Sequence, residues 1–283
     1  MIRVAAGEDA AAWRDALSAP GVLDGAQVLK EDSGSWVRRA RVMGRDVVVK
    51  CRVLNTLGRR VKHVLGMGHG AKHWRGAELL IKAKVRTGQP LMLARAAVDR
   101  RACELLVMEY LDGPTLLECL CDAATGRMPV WKQHAIAHAI GVQMSGMMGC
   151  IFNRDHKPSN LIVLKANTGE PEVAVIDCVG VRRVQVLRTE RMLATLVIEP
   201  TGCGVGPRRG LMMRVLWSCN EELDKWHEPL DYESWDVDER PSANPQERVK
   251  EAARLQWREA AAIVRVHGDP RPRVNPLKSA SES

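Results

Sequence analysis

Asn153-Arg154-Asp155-His156-Lys157-Pro158-Ser159-Asn160 is the stretch on which the fold of this chain turns. An acid is followed two residues on by a lysine and three beyond that by an asparagine. Seventeen residues after Asn160 comes Asp177, at the end of the apolar run Val173-Ala174-Val175-Ile176. The spacing has a chemical reason. One carboxylate, Asp155, can face an acceptor hydroxyl, while the amide oxygen of Asn160 and the carboxylate of Asp177 are oxygen donors suited to magnesium. A turn or helix-cap role would explain Asp155 alone. It does not explain Lys157, Pro158, Asn160 and Asp177 together.

Other charged groups precede this stretch in an order that fits phosphoryl transfer. Val37, Ala40 and Val42, a turn at Met43-Gly44-Arg45-Asp46, and Val47-Val48-Val49-Lys50 predict a hairpin whose second strand ends in Lys50. A lysine there can contact the α/β-phosphates of ATP. Residues 71–86 predict an amphipathic helix, with Trp74, Ala77, Leu80 and Ile81 at helical spacing. It carries Glu78, 28 residues after Lys50, which is expected to pair with that lysine and orient it. Ser33, Gly34 and Ser35 stand where backbone N–H groups can cover phosphates, although no G-x-G-x-x-G is present. Glu109 completes the expected nucleotide-binding set, and Lys157 is placed to stabilise the transferring phosphoryl group.

The chain has 283 residues, enough for one large domain or two lobes. Hydrophobic residues make up 46%, sufficient for a core, but there are eight Trp, two Tyr and one Phe, so Leu, Val, Ala and Met must fill most of it. No apolar stretch reaches the roughly 18 residues of a membrane span. The N-terminal stretch turns acidic at Glu8-Asp9 without a signal-peptide apolar core, which makes the cytoplasm the expected location. Eight cysteines show no C-x-x-C and no metal-ligand spacing, and are expected to be reduced thiols used as small hydrophobes.

The formal net charge of +8 is unevenly spread. Between Lys50 and Arg86 stand ten Lys or Arg and one acid, Glu78. Such a patch attracts nucleotide phosphates, nucleic acid or an anionic membrane face, unless it is merely a solvated surface. Nucleic acid is not expected as a partner, because aromatic and basic residues do not interleave.

Residues 9–18 predict a short helix, 26–52 strands, and 53–70, with four glycines, a mobile connector. Strands are expected near 91–98 and 104–108, followed by a linker at Glu109-Tyr110-Leu111-Asp112-Gly113-Pro114. Beyond it, helices are expected at 115–123, 130–150, 188–199, 208–224 and 245–266, with short strands at 161–164 and 173–176. The fold class is therefore α+β, with a β-rich N-lobe over 1–110, a helical C-lobe over 111–267 and a disordered tail at 268–283. That order suggests a bilobal protein-kinase-like fold.

The chain also resembles the lipopolysaccharide kinases, which act on Kdo or heptose sugars of the lipid A–core, over about residues 25–225. Three stretches carry the resemblance. One runs from Ser33-Gly34-Ser35-Trp36-Val37-Arg38-Arg39-Ala40-Arg41 to Val47-Val48-Val49-Lys50. The second is Ala71-Lys72-His73-Trp74-Arg75-Gly76-Ala77-Glu78-Leu79-Leu80 with Thr87-Gly88-Gln89-Pro90. The third is the 153–160 loop with Val175-Ile176-Asp177-Cys178-Val179-Gly180-Val181-Arg182-Arg183. The loop is similar to the His-Arg-Asp-x-Lys-Pro-x-Asn of kinases, with Asn153 in place of His, and Asp177-Cys178-Val179-Gly180 stands where most kinases have Asp-Phe-Gly. Cys178-Val179 also lacks the second acid usual in the family, and no Ala-Pro-Glu is present.

The resemblance implies an ATP- and magnesium-dependent sugar kinase, cytoplasmic and peripheral to the inner membrane. Its partners would be a lipid-linked sugar acceptor and the anionic membrane surface, met through the 50–86 patch. Alternatives from the same residues are a protein Ser/Thr or small-molecule kinase, and a nucleotide-binding pseudokinase scaffold.

Overall fold

The computed structural model describes residues 2–19, 21–23, 25–98, 101–148, 150–185, 189–226 and 244–267. The expected tail at 268–283 lies outside them. Two compact units emerge. The first comprises 1–82, 87–111 and 177–181, and the second 83–86, 112–176 and 182–283.

The first unit is built on an antiparallel sheet. Its elements are β1 (Ile2–Val4), α1 (Ala10–Ser18), β2 (Gln27–Asp32), β3 (Ser35–Val42), β4 (Arg45–Val53), α2 (Leu57–Val64), α3 (His69–Lys82), β5 (Pro90–Val98) and β6 (Arg101–Glu109). The strand order is β1-β5-β6-β4-β3-β2. The β3–β4 turn falls on Met43 and Gly44, both at positive φ (51 and 76), which matches the twist of a two-residue hairpin. Val47, Val49 and Cys51 alternate inward along β4. With Val42, Leu91, Met92, Leu105 and Val107 they form one face of the sheet, which Trp13 of α1 closes. The opposite face packs on α3, where Gly70 lies against Leu93 and Glu104.

The expected connector at 53–70 is not structureless: it holds α2, capped by Thr56, whose Oγ1 accepts from the Arg59 N–H. In α3 the inward residues are Gly70, Ala71, His73, Trp74, Gly76, Ala77 and Leu80, whereas Ile81 is 45% exposed and is not part of the core. β1 was not expected. It is three residues long, too short for a period, and is held by its pairing with β5.

The second unit contains α4 (Leu116–Ala124), α5 (Val130–Ser145), β7 (Ile151–Asn153), β8 (Leu161–Leu164), β9 (Glu172–Val175), β10 (Val181–Arg183, its first residue in the other unit), α6 (Thr189–Gly202), α7 (Arg209–Trp226) and α8 (Pro245–His267). A capping box at Thr115 and Glu118 starts α4. α5 and α7 approach closely at Gly141, where a β-carbon would strike the Val215 carbonyl, and His138 meets Ser218 Oγ at 2.8 Å. α8 lies on α6 and α7, joined to α7 by Asn220 Nδ2 donating to Gln256 Oε1 at 2.9 Å. β8 and β9 form a hairpin, Leu161 opposite Val175 and Leu164 opposite Glu172. All eight cysteines are thiols outside any disulfide, and seven are buried.

Candidate active site

In the second unit the 153–160 stretch leaves β7, turns, and passes through a 3-10 turn at Pro158–Asn160 into β8. Two asparagines hold the turn. Asn153 is fully buried, and its Oδ1 accepts the Asp155 N–H at 3.1 Å. Asn160 Nδ2 donates to the Asp155 carbonyl at 3.0 Å. The Asp155 main chain is thus clamped from both sides, while its carboxylate is 38% exposed, with Arg154 Nη2 3.4 Å from Oδ2. Since the Asn160 amide nitrogen is engaged with the main chain, its Oδ1 is the atom left to accept or to bind a cation. Asn153 therefore orients the loop through a hydrogen bond of its own.

Sequence reasoning missed one residue here. Glu199, on α6, accepts the Ser159 N–H at 2.8 Å and the Ser159 hydroxyl at 2.6 Å, and its Oε1 is 3.5 Å from Lys157 Nζ. It ties two loop residues to a helix 40 positions downstream. His156 points the other way. It is fully buried, neither ring nitrogen has a hydrogen-bond partner among the described residues, and burial pushes its pKa down to about 4. Its carbonyl accepts from Thr195 Oγ1 at 2.8 Å. The histidine thus anchors the loop apolarly as a neutral ring.

In the first unit, Lys50 sits on β4 between Val37 of β3 and Leu106 of β6. Burial of its ammonium lowers its pKa, and the nearby Asp177 carboxylate opposes that shift. Asp177 Oδ1 accepts the Val179 N–H at 3.1 Å, and its side chain is 38% exposed. The segment 177–180 is pressed on α3 so closely that a β-carbon at Gly76 would overlap the Cys178 carbonyl. The Cys178 thiol meets Thr87 Oγ1 at 3.2 Å and is pushed up to about 11 by burial, so it is a neutral packing group.

Glu78, expected to pair with Lys50, is engaged by residues on its own side of α3. Glu78 Oε1 accepts from Arg3 Nη2 at 2.5 Å and from Trp74 Nε1 at 2.9 Å. The residue of α3 that faces this corner is His73, 1% exposed, with Nδ1 3.6 Å from Asp177 Oδ1. Burial first, and the Lys50 charge second, push its pKa well down, so the ring is neutral. The reason is rotational. Glu78 is five residues past His73, about 140° further round the helix at about 100° per residue.

Ser33 and Gly34 form a two-residue turn between β2 and β3, with Ser35 already paired to Asp32. The Gly34 carbonyl accepts from the Val53 N–H at 2.9 Å. The tip is therefore tighter than a phosphate-covering loop of the G-x-G-x-x-G kind. Glu109 ends β6, where its backbone N–H donates to the Gln89 carbonyl at 2.9 Å.

Among the described residues no three His, Cys, Asp or Glu side chains converge to cage a metal. Asp177 in the first unit and Asn160 in the second are each hard oxygen donors of the kind that magnesium takes.

The chain superposes on the structure titled "WaaP in complex with acyl carrier protein" with a TM-score of 0.52 over 91% of this chain and 99% of that one, at 17% identity. The likeness establishes a shared fold. No protein-family model and no curated protein sequence matches the chain.

Proposed function

We propose that this protein is an ATP- and magnesium-dependent phosphotransferase that moves the γ-phosphoryl group to a sugar hydroxyl of the lipopolysaccharide core or lipid A, of the Kdo or heptose kinase type. The observation that carries the reading is the clamped 153–160 loop: Asn153 and Asn160 fix the Asp155 main chain while its carboxylate stays open. Asp155 accepts or steers the proton of the attacking hydroxyl. Lys157, held by Glu199, stabilises the transferring group, and Lys50 contacts the α/β-phosphates. Asp177 and Asn160 would hold magnesium, which neutralises the nucleotide phosphates when bound. The Ser33–Ser35 tip and Glu109 are assigned to the nucleotide side.

In this reading the two units are the N- and C-lobes of a protein-kinase-like fold, as the likeness to WaaP supports. The protein works at the cytoplasmic face of the inner membrane, its 50–86 patch meeting anionic lipid. None of the described helices is long and apolar enough to cross a membrane, so attachment would be peripheral.

The test is ADP release by the purified protein with magnesium and ATP, with and without Kdo–lipid A or a heptosylated acceptor, beside Asp155→Ala. An arm with acyl carrier protein is included because the WaaP structure holds one. Acceptor-stimulated release that Asp155→Ala abolishes, with ATP binding kept, is expected. Unchanged turnover in Asp155→Ala would falsify the role given to that residue. ATP bound without turnover would favour the second reading, a nucleotide-binding scaffold, which the tight 33–34 tip and the engagement of Glu78 with Arg3 and Trp74 also support.

A further inference from the structure

Between Leu57 and Met67 five large apolar side chains face outward: Leu57 is 77% exposed, Val61 48%, Val64 65%, Leu65 62% and Met67 47%. Exposed apolar residues scattered singly are ordinary, but a run of this kind on one helix is not. At about 100° per residue, Leu57, Val61 and Val64 of α2, with the C-cap residue Leu65, fall within an arc of about 100°. Arg60 and Lys62 flank that arc on its two sides. Opposite it lies His63, 5% exposed, the one buried residue of the helix. Its Nδ1 is 2.7 Å from Glu104 Oε2, and Arg60 Nε donates to the Leu54 carbonyl at 3.1 Å. The helix is thus pinned by its inner side, with its apolar edge held outward.

We propose that α2 seats the protein on an anionic phospholipid bilayer, the apolar edge Leu57–Val61–Val64–Leu65 entering the headgroup boundary while Arg60 and Lys62 contact lipid phosphates. This rests on the membrane-surface part of the function proposed above and deepens it from charge attraction to insertion. Charge selects the occupant. No acidic residue occurs from 47 to 77, and Arg59, Arg60, Lys62, Lys72 and Arg75 do. A second copy laid on this face would set those cations against each other, whereas an anionic bilayer offers both apolar depth and negative charge. Long basic side chains beside an apolar edge can also reach upward to the headgroups while their stems stay buried.

The experiment is flotation of the full chain with phosphatidylglycerol/phosphatidylcholine vesicles and with phosphatidylcholine alone. The expected result is binding to the anionic vesicles only, weakened about tenfold or more in Val61→Asp/Val64→Asp. Both positions are exposed, so an unchanged thermal midpoint checks the fold, and Val61→Ser/Val64→Ser is the milder companion. A fluorophore on Leu57→Cys, in a Cys150→Ser background, should shift to the blue on the same vesicles. Binding that ignores the Val61/Val64 changes and is lost only to Lys62→Glu or salt overturns insertion and leaves the anionic-surface reading standing. No binding to either vesicle overturns both. A dimer by light scattering that Val61→Asp/Val64→Asp dissolves assigns the face to a second copy and overturns the proposal. ADP release on a soluble acceptor is scored separately, so the kinase reading is judged apart from all of these.

Discussion

His73 Nδ1 stands 3.6 Å from Asp177 Oδ1 on the buried side of α3. The distance is longer than a hydrogen bond, and neither ring nitrogen has another partner among the described residues. A neutral imidazole can point Asp177 without competing for its charge, so that the carboxylate remains the counter-charge for Lys50. If Asp177 holds magnesium, His73 is a positioning residue for that ligand. Replacing such outer partners commonly weakens metal affinity by about 10–100-fold. His73→Leu is therefore expected to raise the magnesium concentration for half-maximal turnover by about tenfold or more, with the fold kept. His73→Gln, which retains an N–H, should recover much of it. A magnesium dependence equal to wild type in His73→Leu would assign the ring to packing alone.

Gly76 sets how closely α3 can press on the segment that carries Asp177. The first atom of a larger side chain would overlap the Cys178 carbonyl, which is backbone and cannot swing aside. Overpacking of this kind costs about 1–3 kcal/mol. Gly76→Ala is expected to lose that much in urea unfolding, even though alanine is the better helix former by about 1 kcal/mol. A variant as stable as wild type would mean that the 177–180 segment moves freely against the helix.

These contacts mark where the sequence was legible and where it was not. The 153–160 octet could be read because its logic is local: the atoms that clamp Asp155 lie within five residues of it. The hairpin carrying Lys50 was legible for the same reason, through the Met43-Gly44 turn and the run Val47-Val48-Val49-Lys50, although β4 does not end at Lys50 but continues to Val53 through its pairing with β6. Order along the chain does not fix rotation about a helix axis: Glu78 is engaged with Arg3 and Trp74, and His73, five residues earlier, occupies the inward face. Glu199 left no local signal, since its partners lie 40 residues away. α2 was hidden because its glycine-rich flanks read as a connector and its apolar face serves no core.

Glu199 supports Ser159 and Lys157 together, through three oxygen contacts of which two are charge-assisted hydrogen bonds to Ser159. Hydrogen bonds to charged groups contribute about 1.5–3 kcal/mol each. Glu199→Ala is expected to lower stability by about 2–4 kcal/mol and to reduce turnover as Lys157 loses its anchor. Glu199→Gln keeps one acceptor, for the Ser159 N–H, and turns the other contact round so that its amide N–H donates to the Ser159 hydroxyl, but it lacks the charge beside Lys157. It should therefore unfold near wild type in urea while remaining slower in ADP release. A Glu199→Gln enzyme with wild-type turnover would show that the anchor of Lys157 is dispensable.

His156 gives the catalytic loop a pH dependence whose sign can be worked out. Its pKa falls from 6.5 to about 4 because burial penalises the charged ring. Between those values the unfolded chain binds a proton that the folded one does not, so stability rises with pH across that window and is level above it. A shift of this size corresponds to about 3 kcal/mol lost on going from pH 7 to below pH 4. His156→Leu removes the titrating group and keeps an apolar filler of similar volume. Urea midpoints measured from pH 7 to pH 4 should fall steeply for wild type and more gently for His156→Leu. Parallel curves would mean that the loop opens to let the ring take its proton from water. The clamp on Asp155 would then loosen in acid, before the rest of the unit unfolds.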